Sequence, residues 1–243
     1  MRLILKLGFL LLISTAIAGE EEMIRAITNG DLDGIQTLVT QVDNIDVSDH
    51  TGKNALMTAA KAGESALVAE LLDEGADPEF KNKNGGTPVM FAAISGDLDT
   101  IELFLQRNVD IDTRGSNGWG ALMIAAAKGH VDATKRFIEA GALPDTRDVY
   151  QWTPLHRAAY QNKIEVVATL VATSGVDINA VDDQGATALH HAASQGWSKV
   201  AKILIEGGAD PELKDAVGRT PLNYAAEKGH GSVARILHSA NKS

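Results

Sequence analysis

A chain of 243 residues with 44% hydrophobic, 22% charged and 5% aromatic residues has globular composition, which excludes a disordered, collagen-like or polytopic membrane protein. It has no cysteine, hence no disulfide framework, thiolate metal site, cysteine nucleophile or lipidated cysteine. Lys and Arg number 22 against 32 Asp and Glu, a net charge of −10, which argues against a nucleic-acid partner, whose phosphates need a basic footprint.

At the N-terminus Arg2 and Lys6 flank a short apolar start, Leu7 to Ile13 is nearly all Leu, Ile, Gly and Phe, and Ala16-Ile17-Ala18 puts small residues at alternate positions. The pattern predicts a secretory signal peptide over residues 1–18, cleaved after Ala18. The other reading is an uncleaved anchoring helix, although the apolar stretch falls short of the ~20 residues a bilayer needs. Cleavage removes two cations and no acid, leaving 20 basic and 32 acidic residues, a formal −12. A chain without cysteine is indifferent to an oxidising compartment, so a bacterial periplasm is the expected address, with no membrane contact after cleavage.

From there the chain repeats itself. Gly52-Lys53-Asn54-Ala55-Leu56, Gly85-Gly86-Thr87-Pro88-Val89, Gly118-Trp119-Gly120-Ala121-Leu122, Gln151-Trp152-Thr153-Pro154-Leu155, Gly185-Ala186-Thr187-Ala188-Leu189 and Gly218-Arg219-Thr220-Pro221-Leu222 recur at spacings of 33, 33, 33, 34 and 33. An Ala-Ala pair follows each block, for example Ala59-Ala60 and Ala158-Ala159. A second block such as Leu71-Leu72-Asp73-Glu74-Gly75-Ala76-Asp77 closes the unit. Thr or Asn before a helix supplies a capping oxygen, Pro at the first helical position loses no needed N–H, and a pair of alanines lets helices pack closely. Glycines such as Gly63 and Gly129 predict left-handed helix ends, and Val200, Ile203 and Leu204 mark a second helix at helical spacing.

These blocks resemble the ankyrin repeat over nearly all of the chain from about Glu21. The resemblance implies an all-α solenoid of about seven helix-turn-helix units with hairpin loops, forming a single repeat domain over residues 19–243. Its expected divisions are an N-terminal cap over 21–48, repeats over 49–81, 82–114, 115–147, 148–181 and 182–214, and a C-terminal cap over 215–243. Three departures stand out: Gly120 replaces a capping Thr, Asn162-Lys163 replaces the usual Gly-His, and one residue is inserted around Thr173-Ser174-Gly175.

Chemistry is sparse by comparison. His156 and His190 occupy the Thr-Pro-Leu-His slot, where the resemblance implies an imidazole that bonds the neighbouring turn; His130 and His230 sit in the Gly-His slot. The sequence lacks Gly-x-Ser-x-Gly, His-Glu-x-x-His and phosphate-loop signatures, so no catalytic residue, metal ligand or cofactor is expected. Asp77, Asp110, Asp177 and Asp210 read as turn residues.

Recognition is therefore the expected role, and the resemblance places it on hairpin tips and inner helices, which line a concave face in that family. At those positions stand Trp119, Val149, Tyr150, Trp152, Tyr160 and Gln161, including four of the chain's six Trp and Tyr residues. Aromatics of this kind dominate interface hot spots; alternatively, an aromatic between Gly and Thr packs on the next hairpin. Lys81, Arg114 and Arg147, with Lys214, end successive units at equivalent places, either to solubilise the surface or to steer an acidic partner. The expected partner is a protein in the periplasm, bound by a monomer. The resemblance extends to periplasmic ankyrin proteins that protect predatory bacteria from their own cell-wall endopeptidases, which implies an inhibitor of a cell-wall hydrolase. Support of an exported enzyme such as catalase is the alternative.

Overall fold

The computed structural model describes residues 18–240, so the expected signal segment lies outside the described residues apart from Ala18. Those residues form seven helix pairs and gather into two compact units, one ending at Asp110 and one beginning at Ile111. The expected all-α repeat architecture is what the chain adopts. No strand occurs among the described residues, where Ser48 and Asn54 make an isolated bridge. No helix among them is long and apolar enough to cross a membrane.

The first unit holds α1 (residues 18–29), α2 (Leu32–Leu38), α3 (Ala55–Ala62), α4 (Ser65–Asp73), α5 (Pro88–Ser95) and α6 (Leu98–Leu105). Asp31 starts α2 by accepting the Gly34 N–H at 2.9 Å, and Asn54 starts α3 by accepting that of Met57 at 3.0 Å. Met23, Ile27, Ile35, Leu56, Leu71, Ile101 and Phe104 form its buried apolar interior.

The second unit holds α7 (Ala121–Lys128), α8 (Val131–Glu139), α9 (Pro154–Tyr160), α10 (Ile164–Val171), α11 (Ala188–Gln195), α12 (Ser198–Glu206), α13 (Pro221–Glu227) and α14 (Gly231–Ala240). Helices α7, α9, α11 and α13 pack in succession, and the alanine pairs at Ala125-Ala126, Ala158-Ala159 and Ala192-Ala193 are wholly buried between them. Leu155, Val167, Leu170, Leu189, Val200, Leu204, Val233 and Leu237 complete a continuous core.

Reciprocal caps at the threonine helix starts follow the third helical residue. At α9, α11 and α13 the Thr hydroxyl caps the helix while His156, His190 or Asn223 reaches back to the Thr amide. Thr87 has the same Thr-Pro context, yet its hydroxyl caps nothing and has no partner among the described residues. The expectation fails there because the third helical residue is Met90, which offers no acceptor to hold the turn. Of the other departures, Asn162 adopts the left-handed conformation at φ 57°, and the inserted residue is taken up in a turn at Gly175, φ 88°.

Candidate protein-binding face

Three hairpins of the second unit are each organised by an aspartate at their first position. Asp148 Oδ1 accepts the N–H groups of Tyr150 at 2.8 Å and Trp152 at 3.0 Å; Asp182 does the same for Gln184 and Ala186, and Asp215 for Val217 and Arg219. The other carboxylate oxygen takes a side chain nine residues on, at the start of the following helix: Arg157 on Asp148, His191 on Asp182 at 2.8 Å, and Tyr224 on Asp215 at 2.7 Å. Where the ninth residue is Ile124, the hairpin begins with Gly115 and has no acid. In the second unit loop acid and helix donor therefore occur together, because a buried carboxylate needs a paired donor.

The Arg157 guanidinium carbon lies 4.3 Å from the Trp152 ring centroid and 4.7 Å from that of Trp119, so indoles from two successive hairpins share one cation. The His191 ring stands 4.2 Å from Trp152, and Tyr160 meets Trp152 edge-on at 5.4 Å. The Trp197 indole N–H donates to the Tyr160 carbonyl at 3.0 Å, which fixes the end of α9. The result is a rigid stack of rings crossing three repeats.

Of the residues picked out by sequence, Trp119, Trp152 and Tyr160 come together in this stack. Val149 and Tyr150 stand at the tip of the same hairpin as Trp152, 56% and 58% exposed, and Tyr150 enters none of the ring contacts among the described residues. Gln161 is exposed at the C-terminal end of α9. Arg114 Nη1 donates to the Arg147 carbonyl at 3.3 Å, and Arg147 Nη1 to the Val181 carbonyl at 2.6 Å and that of Gln151 at 3.3 Å. These arginines thus tie successive hairpins together. Lys81 belongs to the first unit and is exposed there. Sequence reading missed Arg157 and His191 as members of the face and Asp148 and Asp182 as their anchors, although the nine-residue spacing from hairpin acid to helix donor was there to be read.

The histidine slot behaves as the resemblance implied. His156 Nε2 donates to the Ala186 carbonyl at 3.2 Å, so its Nδ1 is the acceptor for the Thr153 amide; His190 repeats this toward Arg219 and Thr187. Burial, reinforced by the nearby His191, pushes the His156 imidazole down to about 4, and burial likewise lowers His190. Burial would raise Asp215, but the Arg219 amide, the Tyr224 hydroxyl and the Val217 amide outweigh it and hold the carboxyl near 2. Burial and the bond to Asp215 push Tyr224 up to about 12. No group of three or more metal-ligating side chains occurs among the described residues.

A family model described as ankyrin repeats, in three copies, matches residues 23–115, 96–182 and 170–243. The chain belongs to the ankyrin-repeat family. Among solved structures, the crystal structure of the human ASB11 ankyrin repeat domain is similar in fold, with a TM-score of 0.76 and 23% identity over 90% of this chain and 96% of that one. No curated protein matches the chain. Ankyrin repeats are protein-binding scaffolds, and this ankyrin chain carries the ring stack on the surface formed by its hairpins and their following helices.

Proposed function

We propose that this ankyrin protein is an exported inhibitor that binds a co-exported enzyme, such as a peptidoglycan endopeptidase, and protects the cell that makes it. The observation that carries the reading is the stack of Trp119, Arg157, Trp152, His191 and Tyr160, which presents Tyr160, 40% accessible, at the surface, with Tyr150, 58% accessible, at the tip of the Trp152 hairpin. A partner can desolvate the Tyr160 ring at small entropic cost because the stack that holds it is already ordered. The signal-like N-terminus supports export to the periplasm. The scaffold inhibits by area and shape, covering the access route of the enzyme with no chemistry of its own.

The test is a titration. The full chain is used to capture its partner from a periplasmic extract of the producing cell, and the purified partner's activity is measured against added ankyrin protein. Loss of activity with an end point at one equivalent, without covalent change in the target, is the expected result. Activity that rises on addition replaces inhibition with enzyme support, and turnover of substrate by the ankyrin protein alone refutes both.

A further inference from the structure

We propose that the partner segment seated on this face is an acidic peptide: carboxylates opposite Arg114 and Arg147, beside an apolar side chain that packs on Val149 and Tyr150. The inference rests on the binding-face reading above and adds the chemistry of what is bound. Its first support is charge distribution. Residues up to Asp110 carry eight Lys and Arg against eighteen Asp and Glu, whereas those from Ile111 carry fourteen of each, so the whole negative excess belongs to the first unit.

Its second support is the placement of charge within the second unit. Three of those fourteen acids, Asp148, Asp182 and Asp215, are buried beneath the hairpins and already bonded to Arg157, His191 and Tyr224. Their carboxylates are taken up by bonds beneath the face and offer nothing to a partner. Arg114 and Arg147 are different. Both are held by backbone carbonyls, and neither makes an ion pair among the described residues; Asp145 feels the Arg147 charge without pairing with it. A guanidinium held by neutral carbonyls keeps its full charge and several unused donors in a fixed fork, the arrangement that recognises carboxylates. The exposed Val149 and Tyr150 lie in sequence between Arg147 and Trp152, which sets an apolar contact beside the charged one.

The experiment selects binders from a random-peptide phage library on the full chain and measures synthetic versions by fluorescence anisotropy. Enrichment of Asp and Glu next to an aromatic or aliphatic residue is expected. Replacing the acids of a selected peptide by Asn and Gln should weaken binding at least about tenfold, and the Arg114→Gln/Arg147→Gln variant should weaken the acidic peptide by a similar factor. Because the first arm alters only the peptide, it stands even if the double variant misfolds. Selected peptides without acidic enrichment, or neutralised peptides that bind within about twofold, overturn the proposal. If those peptides still lose binding to Tyr150→Ala/Tyr160→Ala, the aromatic face survives and only its acidic preference falls. Peptides indifferent to the tyrosines overturn the face itself. A selection without binders, or a single-stranded oligonucleotide that outcompetes every peptide, also overturns the proposal.

Discussion

The Arg157 guanidinium bonds the wholly buried carboxylate of Asp148 while its carbon stands 4.3 Å from the Trp152 ring centroid, so one side chain neutralises a hairpin and supports a recognition surface. Arg157→Ala strands that carboxylate and removes the cation shared by two indoles. A loss of about 3 kcal/mol is expected from urea unfolding. Arg157→Lys should recover only part of it, because an ammonium cannot reproduce the fork or the stacking. Wild-type stability in the alanine variant would show that the pair holds nothing.

His156 gives the chain an acid-sensitive joint. Its imidazole is held down near 4 against 6.5 for the free group, so below pH 6.5 the unfolded chain binds a proton that the folded chain refuses. The contribution is present above 6.5 and is lost as pH falls towards 4, reaching roughly 3 kcal/mol. His156→Asn mimics Asn223, which makes the same cap at α13, and should flatten stability across this window. Unfolding curves between these two pH values check it; equal slopes for both proteins would contradict it.

The hairpin at Gln151 carries backbone strain. Gly52, Gly85, Gly118, Gly185 and Gly218 occupy the equivalent left-handed position, whereas Gln151 adopts φ 60° with a full side chain. Gln151→Gly should stabilise the chain by about 1 kcal/mol. Gly118→Ala should do the reverse and by more, since the added Cβ would stand 2.6 Å from the Asp148 Cα. Thermal unfolding of the two variants provides the check, and a common sign for both shifts would refute it.

Tyr224 donates its hydroxyl to buried Asp215 at 2.7 Å, and Tyr224→Phe should cost about 1–2 kcal/mol near neutral pH. The phenol is raised from 10.0 to about 12, so its contribution is full below 10 and fades as pH climbs through 12. The variant should therefore lose less than the wild type on the alkaline side, as urea midpoints at neutral and alkaline pH would show. A parallel alkaline decline in both would count against the bond.

The architecture was legible because six in-phase blocks repeat the same capping and packing chemistry, and Thr153, His156 and their counterparts act where the repeat places them. Two things were harder to see. Thr87 looks like every other capping threonine, yet the threonines that cap are those whose third helical residue reaches back to them, and Met90 cannot do so. The ring stack joins Trp119 to Arg157 and Trp152 to His191, 38 and 39 residues apart, distances that become contacts only once hairpins of neighbouring repeats stack. A composition count finds the aromatics but not the cation between them. That cation also changes how they should be tested: Trp119 and Trp152 are held in the stack, so truncating them disturbs folding as well as binding.

The decisive measurement is therefore confined to Tyr150, whose exposed ring enters none of the ring contacts among the described residues. Calorimetric titration of the captured, purified partner against the wild type and Tyr150→Ala should show Kd rising at least about thirtyfold, the equivalent of about 2 kcal/mol, with the melting temperature unchanged. An unchanged Kd for a folded variant would contradict the account, because recognition would then lie elsewhere on the repeat surface.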